Sequence, residues 1–93
     1  MTKVQDVRKG WHAFGMAVDI VENDKSPWDA PQAFWQTLGK LAEANGLTWG
    51  GRWKFLDLPH CQHGECPTSP TDLDRALLAD SGAEAVWAKY KAI

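Results

Sequence analysis

The first regular pattern of apolar and polar residues lies in HAFGMAVDIVE, residues 12–22. Met16, Val18 and Ile20 partly alternate with smaller or polar neighbours, and a period of two is typical of a strand. We therefore expect a mostly buried strand here, preceded by a turn or bulge at Gly15. The following NDKSPWDAP, residues 23–31, is rich in turn-forming residues and predicts a loop.

A helical pattern starts at Pro31 in PQAFWQTLGKLAEANG. Proline suits the first turn of a helix, and Asn45-Gly46 is a typical C-terminal stop. The predicted core face consists of apolar residues at helical spacing: Phe34, Leu38, Leu41 and Ala42, with Trp35 beside them.

Residues 47–64 mix β-forming residues with a Gly-Gly break. They predict two short strands joined by a turn, the second leading through Pro59 to His60. Thr71 or Asp72 can cap a final helical region, which Ser81-Gly82 should divide into two helices. Its apolar positions are Leu73, Leu77, Leu78, Val86, Trp87 and Tyr90. Strands with helices before and after them predict one small α+β domain over residues 1–93, with residues 1–10 as an arm.

Charge and hydropathy narrow the classes of partner. A net charge of -2 argues against binding to nucleic acid or to an anionic membrane. No apolar run approaches the roughly 18 residues of a membrane span. The first residues include basic side chains but no apolar segment, so we expect no signal peptide, synthesis in the cytoplasm, and exit by another route.

Six tryptophans are many for a chain of 93 residues. Large aromatic side chains help a small domain to bury enough apolar area, so most of them should belong to the core. The alternative is a groove lined with rings. Trp49 and Trp53 are the expected exceptions to burial, because they flank a cluster of polar residues.

That polar cluster is DLPHCQHGEC, residues 57–66, which holds residue types that bind transition metals. Asp57 and His60 are three residues apart, so one could bind a metal while the other takes a proton from water. Spacing alone slightly favours a different interpretation, in which Asp57 closes a turn and His60 is a partly buried polar residue. Cys61 and Cys66 have no second pair and are expected to be passive thiols.

A catalytic zinc takes three protein ligands and one water. The chain has three histidines, His12, His60 and His63. His12 and Asp19 lie on either side of Gly15, and a turn at Phe14-Gly15 is required if both are to reach one ion. His63 is expected to lie at the surface or behind the ligands.

HAFGMAVDI together with GLTWGGRWKFLDLPHCQ resembles the M15 metallopeptidases, over residues 10–62. More narrowly, it resembles the phage-type L-alanyl-D-glutamate and D-alanyl-D-alanine peptidases that cut peptidoglycan stem peptides. The family pattern is approximately S-x-H-x-x-G-x-A-x-D followed by G-L-x-W-G-G-x-W and D-x-P-H-x-Q. The resemblance implies that His12, Asp19 and His60 bind Zn²⁺ and that Asp57 is the catalytic acid/base.

The resemblance also implies the surroundings of the site. Trp49, Gly50 and Gly51 match the segment that shapes the cleft floor, and the implied fold is the hedgehog/DD-peptidase type, an antiparallel sheet flanked by helices. Arg8 is the candidate for the family's upstream arginine, which helps to hold the substrate. In two positions the chain departs from the family pattern, with Gly10 in place of Ser and Cys61 where the family often has an aromatic residue.

The function implied is a zinc-dependent peptidase that hydrolyses peptidoglycan stem peptides, as phage or prophage endolysins do. Only eleven residues precede His12, so the helix and loop that carry the family's arginine are expected to be missing. The alternative is therefore a catalytically weak, zinc-stabilised module that recognises cell-wall peptides. The sequence predicts neither the bond that is cut nor the oligomeric state.

Overall fold

The computed structural model describes residues 10–22 and 27–92, which divide into two compact units, residues 10–17 with 65–92 and residues 18–64. Within these residues there are three strands: β1 Ala17–Asp19, β2 Leu47–Trp49 and β3 His60–His63. The α-helices of the same residues are α1 Gln32–Ala44, α2 Asp72–Ser81 and α3 Ala83–Lys89. Short 3-10 helices occupy Trp11–Phe14, Pro27–Asp29 and Gly50–Arg52.

A three-stranded antiparallel sheet with three helices confirms the predicted α+β class. The single domain over residues 1–93 stays a prediction. Of the predicted arm, residues 1–9 lie outside the described residues, and so do residues 23–26 of the predicted loop at residues 23–31.

The strand order is β1-β3-β2, so β3 is the central strand. β2 and β3 pair antiparallel, with Trp49 opposite Cys61 and Leu47 opposite His63. Two strands thus lie within residues 47–64, as predicted. The second was predicted to lead through Pro59 to His60, whereas β3 begins at His60 because residues 50–59 form a 3-10 helix, bends and a turn. Successive side chains of a strand point to opposite faces, so His60 and Gln62 share one face of β3 and Cys61 has the other.

Helix α1 begins and ends where the sequence predicts. Pro31 is its N-cap in extended conformation, Asn45 is its C-cap, and Gly46 follows with a φ of 79°. The buried face is Trp35, Leu38, Gly39 and Ala42, which pack with Trp49 and Cys61. A Cβ on Gly39 would lie 2.3 Å from the Trp49 ring, so this glycine lets the indole lie directly on the helix.

Three side chains in the unit of residues 18–64 are more exposed than predicted. Leu41 is 59% exposed, because Trp35 belongs to the buried face of α1 and Leu41 lies outside that face. Val18 is 55% exposed, and Ile20 is also exposed, so the prediction of a mostly buried strand was wrong. β1 is a three-residue strand at the edge of the order β1-β3-β2, where few neighbours cover its side chains.

The unit formed by residues 10–17 and 65–92 has its own core of Trp11, Phe14, Met16, Cys66 and Val86, with Trp87 and Tyr90 packed against it. Thr71 caps α2 through a capping box with Asp74, and Gly82, with a φ of 84°, separates α2 from α3. Both features confirm the prediction. Leu73, in contrast, is 76% exposed, because the buried position of the first turn of α2 belongs to Asp74.

None of the helices in the described parts of the chain is both long enough and apolar enough to cross a membrane.

Candidate metal centre

The imidazole of His60, the first residue of β3, is buried, and its Nδ1 faces two carboxylates. Its Nδ1 is 3.7 Å from Asp19 Oδ1 and 3.7 Å from Asp57 Oδ2. The two carboxylates are each roughly half exposed, so water can reach the side of the cluster away from the imidazole. The unit of residues 18–64 thus brings together three of the four residues that sequence reasoning assigned to ligation and proton transfer.

The position of Asp57 is set by the backbone of residues 50–60. Its N–H donates to Gly50 O at 3.1 Å, and its own carbonyl accepts from the His60 N–H at 3.1 Å. A Cβ on Gly50 would lie 2.3 Å from Asp57 O, so only glycine permits this approach. Asp57 therefore closes a turn with its backbone, while its side chain faces His60. The assignment of metal binding and proton transfer to this pair stays a prediction.

Asp19 reaches the same imidazole from β1. The Ile20 N–H donates to Pro59 O at 2.8 Å, which ties the end of β1 to the residue before His60. This bond joins chain segments some forty residues apart, so local sequence patterns gave no sign of it.

Gln62 is a polar residue at the site to which sequence reasoning gave no role. It is 2% exposed, lies two residues after His60 on the same face of β3, and its Oε1 is 2.7 Å from His60 Nε2. The signal that could have found it is the H-x-Q spacing on a strand, since a period of two places both side chains on one face. Trp53, half-buried, adds a ring contact at 5.0 Å between centroids.

His12 lies in the other unit, on the 3-10 helix Trp11–Phe14. Trp11 and Phe14 are buried on either side of it, and Gly15 follows with a φ of 71°, which confirms the predicted turn. His12 itself is exposed, with Nδ1 3.1 Å from Ala17 O. With Nδ1 as the donor, Nε2 carries the lone pair, which is the form in which a histidine binds a metal.

Both cysteines are buried and reduced. Burial, with a smaller contribution from the negative charge of Asp19, raises the pKa of the Cys61 thiol, and burial raises the pKa of Cys66 to about 11. Cys61 also points to the Trp35 core on the face of β3 opposite His60. These observations support the expectation that the thiols are passive.

The residues predicted to contact substrate lie in different environments. Trp49 is 2% exposed, so the prediction that it lies near the surface was wrong. Its ring packs in the core, and its Nε1 donates to Leu58 O at 2.7 Å, which holds the segment before His60 in place. Trp53 is half-buried, and Trp28 is an exposed tryptophan. Gly50 lies under Asp57, and Arg8 is outside the described residues.

A family model described as D-alanyl-D-alanine carboxypeptidase, from the M15 peptidases, matches residues 5–63, well over half of the chain. The match extends from before His12 to the end of β3 and includes Asp19, Asp57 and His60. No curated protein and no solved structure is significantly similar to the chain. The chain belongs to the M15 family of peptidases.

Proposed function

We propose that this chain is a zinc-dependent peptidase that hydrolyses peptide bonds in peptidoglycan stem peptides. The observation that carries the proposal is the convergence of Asp19 and Asp57 on Nδ1 of His60, in a chain that belongs to a peptidase family acting on the cell wall. Members of that family are typically metal-dependent.

The proposed ligands are His12, Asp19 and His60, each of which offers one atom suited to a metal ion. Two imidazole nitrogens and a carboxylate oxygen match the donor set of catalytic zinc sites, which keep one position for water. A buried ring nitrogen facing two carboxylates suits a bound cation, because the cation would offset the negative charge of both acids. The second ring nitrogens of both histidines lie beside oxygen acceptors, Ala17 O and Gln62 Oε1, as is usual for metal-binding histidines.

When bound, Zn²⁺ would polarise the scissile carbonyl and lower the pKa of water toward about 7. Asp57 is assigned the proton transfers: its carboxylate takes the proton of the attacking water and passes it to the leaving amine. Its two backbone hydrogen bonds hold the carboxylate beside His60, and its half-exposed position leaves room for substrate and water. His60 and Asp19 orient the reacting centre and do not exchange protons in this scheme.

The proposed substrates are the short peptides of the bacterial cell wall, and the proposed setting is lysis by a phage or prophage endolysin. Support for this narrower assignment comes from two sequence blocks that resemble those of phage-type peptidases, at residues 12–20 and 46–62. In that setting the chain would be made in the cytoplasm and act at the wall after release.

The test uses the full chain, purified without chelator, on purified peptidoglycan. We expect release of new amino groups, loss of that release after treatment with a chelator, and recovery when Zn²⁺ is added back. Release that is indifferent to chelator would overturn the zinc assignment. Bound zinc without any release of amino groups would overturn the peptidase assignment and favour the module that only recognises cell-wall peptides.

A further inference from the structure

We infer that Gln62 is a positioning residue, which fixes the orientation and tautomer of the His60 ring so that Nδ1 presents its lone pair to the metal. The inference rests on the proposed function, since it assigns a role in forming the same site. Gln62 contacts neither substrate nor metal in this account and acts through His60.

The geometry supporting this is a short contact between two buried groups. Gln62 Oε1 lies 2.7 Å from His60 Nε2, and both residues are buried, so water does not compete for the bond. The two residues share one face of a hydrogen-bonded central strand, which fixes their separation. Trp53 contacts the same ring at 5.0 Å and restricts its rotation further.

The chemistry of the amide decides which tautomer is held. An amide oxygen only accepts hydrogen bonds, so Nε2 must carry the proton and Nδ1 the lone pair. Nδ1 is the nitrogen that faces Asp19 and Asp57 at 3.7 Å. Without the acceptor, the proton could occupy either nitrogen, and part of the population would have an N–H where the metal should bind.

Packing alone does not require glutamine at this position. A buried amide costs free energy unless it is hydrogen-bonded, and an unbranched apolar side chain of similar length would fill the same volume. The contact with His60 Nε2 at 2.7 Å provides such a hydrogen bond for the amide oxygen.

The experiment compares zinc affinity in three variants of the full chain by competition with a chromogenic chelator. Gln62→Met keeps length and removes the acceptor, Gln62→Glu keeps an acceptor oxygen, and Gln36→Met makes the first change at an exposed position of α1. We expect zinc affinity to fall about 10–100-fold in Gln62→Met, as for other partners of metal-binding histidines, and to stay near wild type in the other two. Thermal melting in chelator checks that the zinc-free variants are folded.

Wild-type affinity in folded Gln62→Met would overturn this inference and leave the proposed function intact. A wild-type chain that binds no zinc would overturn the proposed function, and the inference with it. A second readout needs no metal and no variant: ¹⁵N chemical shifts of the His60 ring in zinc-free wild type at alkaline pH. We expect the proton on Nε2; a ring protonated on Nδ1 would overturn the inference even if Gln62→Met fails to fold.

Discussion

Asp74 offers the sharpest prediction about stability, because its fully buried carboxylate joins the start of α2 to the end of α3. Its oxygens accept from Lys89 Nζ at 2.6 Å, from Tyr90 OH at 2.9 and 3.0 Å, and from the Thr71 N–H at 2.8 Å. Burial by itself would raise the pKa of Asp74, but these hydrogen bonds outweigh it and lower the pKa from 3.8 to about 2. We predict that Asp74→Asn strongly destabilises the chain at neutral pH.

The magnitude follows from the pKa difference. One pKa unit corresponds to about 1.4 kcal/mol, so the ionised form of Asp74 contributes about 2 kcal/mol relative to the protonated form. The folded pKa is the lower one, so this contribution is present above the unfolded pKa near 4 and is lost as pH falls through about 2. For a domain of this size, a loss of about 2 kcal/mol lowers the melting temperature by roughly 8–16 °C.

The assay is urea unfolding of wild type and Asp74→Asn in the presence of chelator, followed by tryptophan fluorescence at pH 7 and again near pH 2. Asp80→Asn, an exposed position on the same helix, is the matched control and should stay near wild type. The difference in free energy of unfolding between wild type and Asp74→Asn should be smaller near pH 2 than at pH 7. Equal stability of the two proteins at pH 7, or a stability difference that does not change with pH, would show that the ionised carboxylate of Asp74 does not stabilise the fold.

Three further predictions concern the site and the thiols. Asp57→Ala should retain zinc and fold while cleavage of peptidoglycan falls by about 10²–10⁴-fold, since only the proton transfer is removed; near-wild-type amine release would contradict the assigned role. Gly50→Ala should lower both stability and cleavage, because its Cβ would lie 2.3 Å from Asp57 O and force that segment to move; Gly10→Ala, where a Cβ would meet nothing within 4 Å, is the control for urea unfolding and amine release. Cys66, buried and with a pKa of about 11, should resist alkylation by iodoacetamide at pH 7.5 until urea unfolds the chain; rapid alkylation of the native chain, read by mass spectrometry, would contradict its burial.

Features fixed by the local backbone were predictable from the sequence. The turn at Gly15, the ends of α1, the cap at Thr71 and the break at Gly82 each depend on one or two residues whose conformational preferences are strong. Their positions therefore follow from the residue type, whatever the rest of the chain does.

Burial was predicted less well, because it depends on which elements become neighbours. Val18 follows a strand pattern but lies on an edge strand, and Leu41 and Leu73 follow helical spacing but lie beside the buried faces. Trp49 was expected near the surface, yet the absence of a side chain at Gly39 lets it pack into the core.

The site shows the same division between local and long-range information. Asp57 and His60 could be paired from their spacing, because a single turn brings them together. Gln62 follows from strand alternation once β3 is known, whereas the approach of Asp19 requires the pairing of β1 with the segment before His60. The resemblance to the family motifs placed Asp19 and His60 in one site before the fold was known.

The proposed zinc site is tested most directly by the zinc content of the wild-type chain, His60→Ala and His63→Ala, measured by mass spectrometry after gel filtration in chelator-free buffer. His60 faces the two carboxylates at 3.7 Å, whereas His63, three residues later in β3, belongs to the opposite face of the strand. We expect about one zinc per chain in wild type and His63→Ala and almost none in His60→Ala, which should also melt at lower temperature than zinc-bound wild type. A full complement of zinc in His60→Ala would show that His60 is not a zinc ligand.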